Sequence, residues 1–120
     1  MPAADPRSFL PLTPLALEVL LALADGPRHG YGVILDVRER TDGLIRLRTG
    51  TLYVLLQRLL DERLIDESDA RPRTAEDDAR RKYYEMTPLG RAVLKAETKR
   101  LEHVVVDARR KRVLGRTGGA

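Results

Sequence analysis

A mainly helical fold carrying one small β-hairpin is what this sequence predicts, and three observations predict it. Leucine dominates the apolar residues, with 20 in 120 positions against one Phe and no Trp, a composition that favours packed helices. Two segments open on Thr-Pro, at Thr13-Pro14 and Thr87-Pro88. A Thr hydroxyl caps a helix, and a proline in the first turn forfeits no hydrogen bond. Between them, a leucine stripe of helical period gives way to two short strand-like runs joined by a polar, charged segment.

Composition bounds the function. The length suits one domain. Cysteine is absent, which excludes disulfides, zinc–thiolate sites and thiol nucleophiles. No apolar run approaches the ~20 residues of a membrane span, and the N-terminus lacks a signal pattern. The expectation is a soluble, cytoplasmic protein with no membrane partner. The net charge of +4 and pI near 9.8 point to anionic partners. Eighteen of the 22 basic residues are Arg, whose planar fork suits phosphate.

Taken in order, residues 1–12 hold Pro2, Pro6 and Pro11 and read as a flexible N-terminal arm. From Leu15 to Ala24 the first helix is apolar nearly all round, broken only by Glu18, until Gly26-Pro27 stops it. Such a helix is buried on more than one side. His29-Gly30 is a turn. A second helix places Tyr31, Ile34 and Leu35 on one face and ends at Thr41-Asp42-Gly43. Leu44 to Arg48 alternates apolar and basic residues, as a short strand or extended linker does.

The third helix is TGTLYVLLQRLLD, with Thr49 as the expected N-cap. Leu52, Leu55, Leu56, Leu59 and Leu60 form its apolar stripe. At 100° per residue, Gly50, Val54, Gln57 and Asp61 lie opposite, with Thr51 and Arg58 on one flank and Tyr53 on the other. Leu64 to Ser68 and the run RKYYEM read as two strands. The final helix, residues 88–113, has an apolar face of Leu89, Val93, Ala96, Leu101, Val104, Val105 and Ala108. At about 37 Å it outreaches a core of three short helices. Residues 114–120 read as a frayed tail.

Helix, helix, helix, strand, strand, helix is the order of a winged helix-turn-helix domain (residues 13–87, wing about 64–87) followed by a dimerisation helix. At these residues the sequence resembles the PadR family of transcriptional regulators. The matching words are LTPLALEVLLAL, HGYGVILDV, TGTLYVLLQRLLDERLI and RKYYEMTPLGRAVL. The single final helix resembles the short subgroup. The family's pattern has Pro where this chain has Val54, and Gly where it has Arg63. The resemblance implies a DNA-binding repressor, homodimeric, answering to a small-molecule effector in some members.

A helix of this type enters the major groove with its N-terminal residues near base edges. Thr49, Gly50 and Thr51 suit that end, and Tyr53 suits a phosphate. Gln57 can pair with adenine, Arg58 with guanine or phosphate, and Val54 can meet a thymine methyl. Arg46 and Arg48 precede the helix within reach of phosphates. The wing supplies Arg71, Arg73, Arg80, Arg81 and Lys82 for the backbone or a narrow minor groove. Glu76, Asp77 and Asp78 read as a solvated tip rather than a metal site. His29 suits the turn before the second helix, and His103 lies beside the apolar stripe of the last one. The expected dimer interface is Leu15, Val19, Leu20, Leu89, Val93, Leu101, Val104, Val105 and Ala108. A twofold axis then presents two reading helices to a palindromic site in double-stranded DNA. Nothing in the sequence has the spacing of a catalytic triad, phosphate loop or metal site, so neither an enzyme nor a cofactor is expected. The competing reading is a winged-helix protein-interaction module that does not read DNA sequence.

Overall fold

The computed structural model describes residues 4–69 and 81–115. A short 3-10 helix, Pro6–Phe9, precedes α1 (Pro14–Ala22), β1 (Arg28–His29), α2 (Gly30–Arg40), α3 (Thr49–Asp61), β2 (Ile65–Ser68), β3 (Tyr83–Met86) and α4 (Pro88–Arg110). The fold is a winged helix, mainly helical, with a three-stranded antiparallel sheet ordered β1-β3-β2. Ile65 faces Met86 and Ser68 faces Tyr83 across the hairpin, while Arg28 faces Tyr84 on the other edge.

Capping chemistry sets where the helices begin. Thr13 Oγ1 accepts from the Ala16 N–H at 3.2 Å, and Thr87 Oγ1 from the Gly90 N–H at 2.9 Å. His29 Nδ1 does the same for Gly32 at 3.0 Å, opening α2. α3 differs from its sequence expectation: its N-cap is Arg48, which makes no side-chain cap bond, and Thr49 is already helical. The N-cap side chain therefore satisfies none of the N–H groups in the first turn of the leucine-striped helix.

The core is built where the stripe demands it. Leu52, Leu56 and Leu59 of α3 are buried against Val19 and Leu20 of α1, Val33 and Val37 of α2, Ile65 of β2 and Val93 of α4. Glu18, the one polar residue of the α1 run, clasps α2. Arg40 Nη1 donates to Glu18 Oε1 at 2.8 Å, Nη2 to the Glu18 carbonyl at 2.9 Å, and Nε to Asp36 at 2.7 Å.

α3 ends in a paired turn of the kind that stops helices. The Leu64 N–H bonds the Leu59 carbonyl and the Arg63 N–H the Leu60 carbonyl, with Arg63 at φ +60°. That left-handed conformation is cheap for glycine and costs a Cβ-bearing residue about 1 kcal/mol or more. Arg63→Gly is expected to raise stability by about 1 kcal/mol. A urea titration checks it, and an unchanged or lowered midpoint contradicts the strain.

The N-terminal segment departs from the expected flexible arm. Phe9, Leu10 and Leu12 pack on the core, and the Leu12 N–H donates to Glu97 Oε2 at 2.8 Å. Glu97 is almost wholly buried. Arg100 Nε reaches its other oxygen at 2.5 Å. The hydrogen bond from Arg100, with that from Leu12, holds the Glu97 carboxyl below its ordinary 4.5 despite burial. The Arg100 guanidinium thus stabilises the fold while Glu97 is ionised, fully above pH 4.5, and the benefit is lost as pH falls through the depressed value. Arg100→Ala is expected to lower the urea midpoint at pH 7, and to lower it less at an acid pH below the depressed Glu97 value. Urea midpoints at the two pH values check this; an equal cost at both contradicts the pair.

Candidate nucleic-acid interface

The polar side of α3 forms one continuous exposed face. Thr49, Gly50, Thr51, Tyr53, Val54, Gln57 and Arg58 are all exposed, while Leu52, Leu55, Leu56 and Leu59 between them are buried. Val54 is 74% exposed. Its side chain is open to contact from outside the chain. A Cβ built at Gly50 would meet nothing within 4 Å, so that end is open for close approach. Tyr53 covers the start of α2: a Cβ at Gly30 would stand 2.7 Å from the Tyr53 hydroxyl. Its ring is thus braced from behind, yet remains half-exposed.

Cations border this face. Arg46 and Arg48 are exposed ahead of α3, with Arg46 Nε donating to the Gly43 carbonyl at 3.3 Å. On the hairpin, Lys82 Nζ lies 3.5 Å from Glu67 and Arg81 Nη1 lies 3.1 Å from His29 Nε2. The His29 ring meets Tyr83 edge-on at 5.3 Å. Arg71, Arg73 and Arg80, with Glu76, Asp77 and Asp78, lie outside the described residues.

Two features of the face escaped sequence reasoning although their spacing was legible. Gln57 Nε2 donates to Asp61 Oδ1 at 3.0 Å, and Arg58 Nε lies 3.3 Å from Glu62 Oε1. Both are i, i+4 pairs, the separation that brings helix side chains together.

The residues expected at a dimer seam divide. Val19, Leu20 and Val93 are fully enclosed by the chain's own core. They have no surface to give a partner, which corrects that part of the expectation. Leu15, Leu89, Leu101 and Ala108 are partly exposed. Val104, Val105 and Val106 are exposed. All buried residues of α4 lie between Gly90 and Glu97, so its second half projects past the core.

Three helices, a strand-paired wing and an open polar face on the third helix define a winged helix-turn-helix of the DNA-binding class. The model of the PadR-like transcriptional regulator family matches residues 19–96. The chain belongs to that family of transcription regulators, which are not enzymes. An uncharacterized protein X of Lysinibacillus sphaericus is 32% identical over 63% of this chain and 67% of its own length. A 37.1 kDa protein in a Streptomyces fradiae transposon is 39% identical over 66% of this chain, which spans only 20% of that protein. Among solved structures, a PadR family transcription regulator from Clostridium difficile aligns over 84% of this chain and 98% of its own, with TM-score 0.68 and 25% identity. Bacillus subtilis PadR in complex with operator DNA shares the fold, with TM-score 0.56 and 23% identity over 68% of this chain and 45% of that one.

Proposed function

We propose that this chain is a homodimeric repressor that reads a palindromic operator with the exposed face of α3 and answers to a small-molecule effector. The observation that carries the reading is that Thr51, Val54, Gln57 and Arg58, four side chains of the kinds that contact base edges, share one open helix face. Arg46, Arg48, Arg81 and Lys82 then serve the phosphates on either side, and Arg71, Arg73 and Arg80 are proposed for the same task. The operator complex of the B. subtilis relative supports the same use of the fold. The site of action is the cytoplasm, where the DNA is. The test is selection of bound duplexes from fragmented genomic DNA by the purified protein. Enrichment of one inverted-repeat sequence supports the reading. Uniform recovery overturns it and favours the protein-interaction module.

The dimer seam proposed is Leu101, Val104, Val105 and Ala108, flanked by Leu15 and Leu89. Val104 is 49% exposed on the projecting half of α4, and valines there gain by burial against a second copy. Val104→Asp with Val105→Asp is expected to turn a micromolar dimer into a monomer in sedimentation, with the helical circular dichroism largely kept. A dimer that survives both changes contradicts the seam. An effector acts, in this reading, by binding two relative orientations of the halves unequally, which shifts the reading helices out of register.

A further inference from the structure

The reading face carries its own competitors. Asp61 and Glu62 sit one turn beyond Gln57 and Arg58 and engage both. Helix chemistry accounts for these acids only in part: the Gln57–Asp61 hydrogen bond adds only slightly to helix stability, and charge works against both. A carboxylate at the C-terminal end of a helix opposes the macrodipole. An acid four residues after its cation is the weaker orientation of the pair. A carboxylate beside a phosphate-binding surface also repels DNA.

We propose that Asp61 and Glu62 are specificity-determining residues: they position the Gln57 amide and the Arg58 guanidinium for bases and withhold them from phosphates. This rests on the reading of α3 as the base-contacting helix. A carboxylate only accepts hydrogen bonds, so Asp61 fixes which end of the Gln57 amide is NH2. Nε2 faces Asp61 and Oε1 is left for an adenine amino group, with the second N–H free for the ring nitrogen. Glu62 engages Arg58 through Nε, which leaves the two terminal nitrogens as the fork that fits guanine O6 and N7. A phosphate on random DNA offers Arg58 a charge but not that two-point match, and Glu62 competes with it directly. A matched base pair gives two directed bonds and prevails over the same competition. The acids thus weaken every encounter, and weaken the wrong ones more.

The test measures affinity for the duplex enriched by the wild-type protein and for a scrambled duplex of equal length and composition. The variants are Glu62→Gln, Asp61→Asn and, as a charge control, Glu39→Gln on the exposed end of α2. Glu62→Gln and Asp61→Asn are each expected to tighten scrambled-duplex binding by about three- to fivefold, the scale of an exposed pair. Binding to the enriched duplex should change by less than about twofold, and the control should leave the ratio of affinities unchanged. If all three variants tighten both duplexes by one common factor, or none alters the ratio, the acids act only as bulk charge and the inference is overturned. If the wild-type protein enriches no sequence at all, it is the proposed base reading that fails, and the inference with it.

Discussion

Gly90→Ala is expected to abolish stable folding, lowering stability by more than about 3 kcal/mol. Gly90 is buried in the first turn of α4 where that helix crosses the end of α3 and the start of β2. A Cβ there would fall inside contact distance of the Leu64 carbonyl oxygen and 2.9 Å from its carbon. The obstacle is backbone, and it is fixed from several sides. The Leu64 carbonyl accepts from the Thr87 N–H at 3.1 Å, and the Thr87 hydroxyl bonds the Arg63 carbonyl at 2.7 Å while capping Gly90 itself. Neither partner can retreat without unpicking the joint between reading helix, wing and α4. Gly50→Ala is the matched comparison: its Cβ meets nothing, and alanine is the better helix former by about 1 kcal/mol. Thermal melts should show a large loss at position 90 and a small gain at 50. Similar shifts at both positions contradict the close packing.

The second large effect is on DNA. Replacing Gln57 and Arg58 together by alanine is expected to weaken binding to the enriched duplex by about a hundredfold or more, since each bidentate base contact contributes about 1–3 kcal/mol. Scrambled duplex should lose less than about tenfold, because the cations proposed for the phosphates, Arg46, Arg48, Arg81 and Lys82, are left in place. Both side chains are exposed, so the fold should be untouched and the loss assignable to contact. Equal losses on the two duplexes contradict base reading by this face.

Much of this architecture was legible in the sequence because its signals are local. The leucine stripe of α3 stands where its period placed it, and both Thr-Pro starts are capped by their own hydroxyls. Arg63, where a glycine was expected, adopts the left-handed turn that its place after α3 demands. Apart from the N-cap of α3 and its two i, i+4 pairs, what escaped depends on partners distant in the chain. β1 is two residues long and is a strand only because β3 pairs with it. Glu97 looks like a surface residue of a charged helix until the N-terminal segment closes over it. Its burial is what turns the expected arm into a docked segment. An all-round apolar helix such as α1 announces burial without saying whose surface covers it, and at Val19 and Leu20 it is the home core that does so. The exposed face of α3 was legible for the complementary reason: its composition is wrong for a core, and the structure leaves it open.

The most direct measurement is fluorescence anisotropy of the wild-type protein with the enriched and scrambled duplexes near 150 mM salt. The expected result is about a thousandfold or greater preference for the enriched duplex, with both affinities falling steeply as salt rises. Equal affinity for the two at every salt concentration would contradict sequence reading by α3.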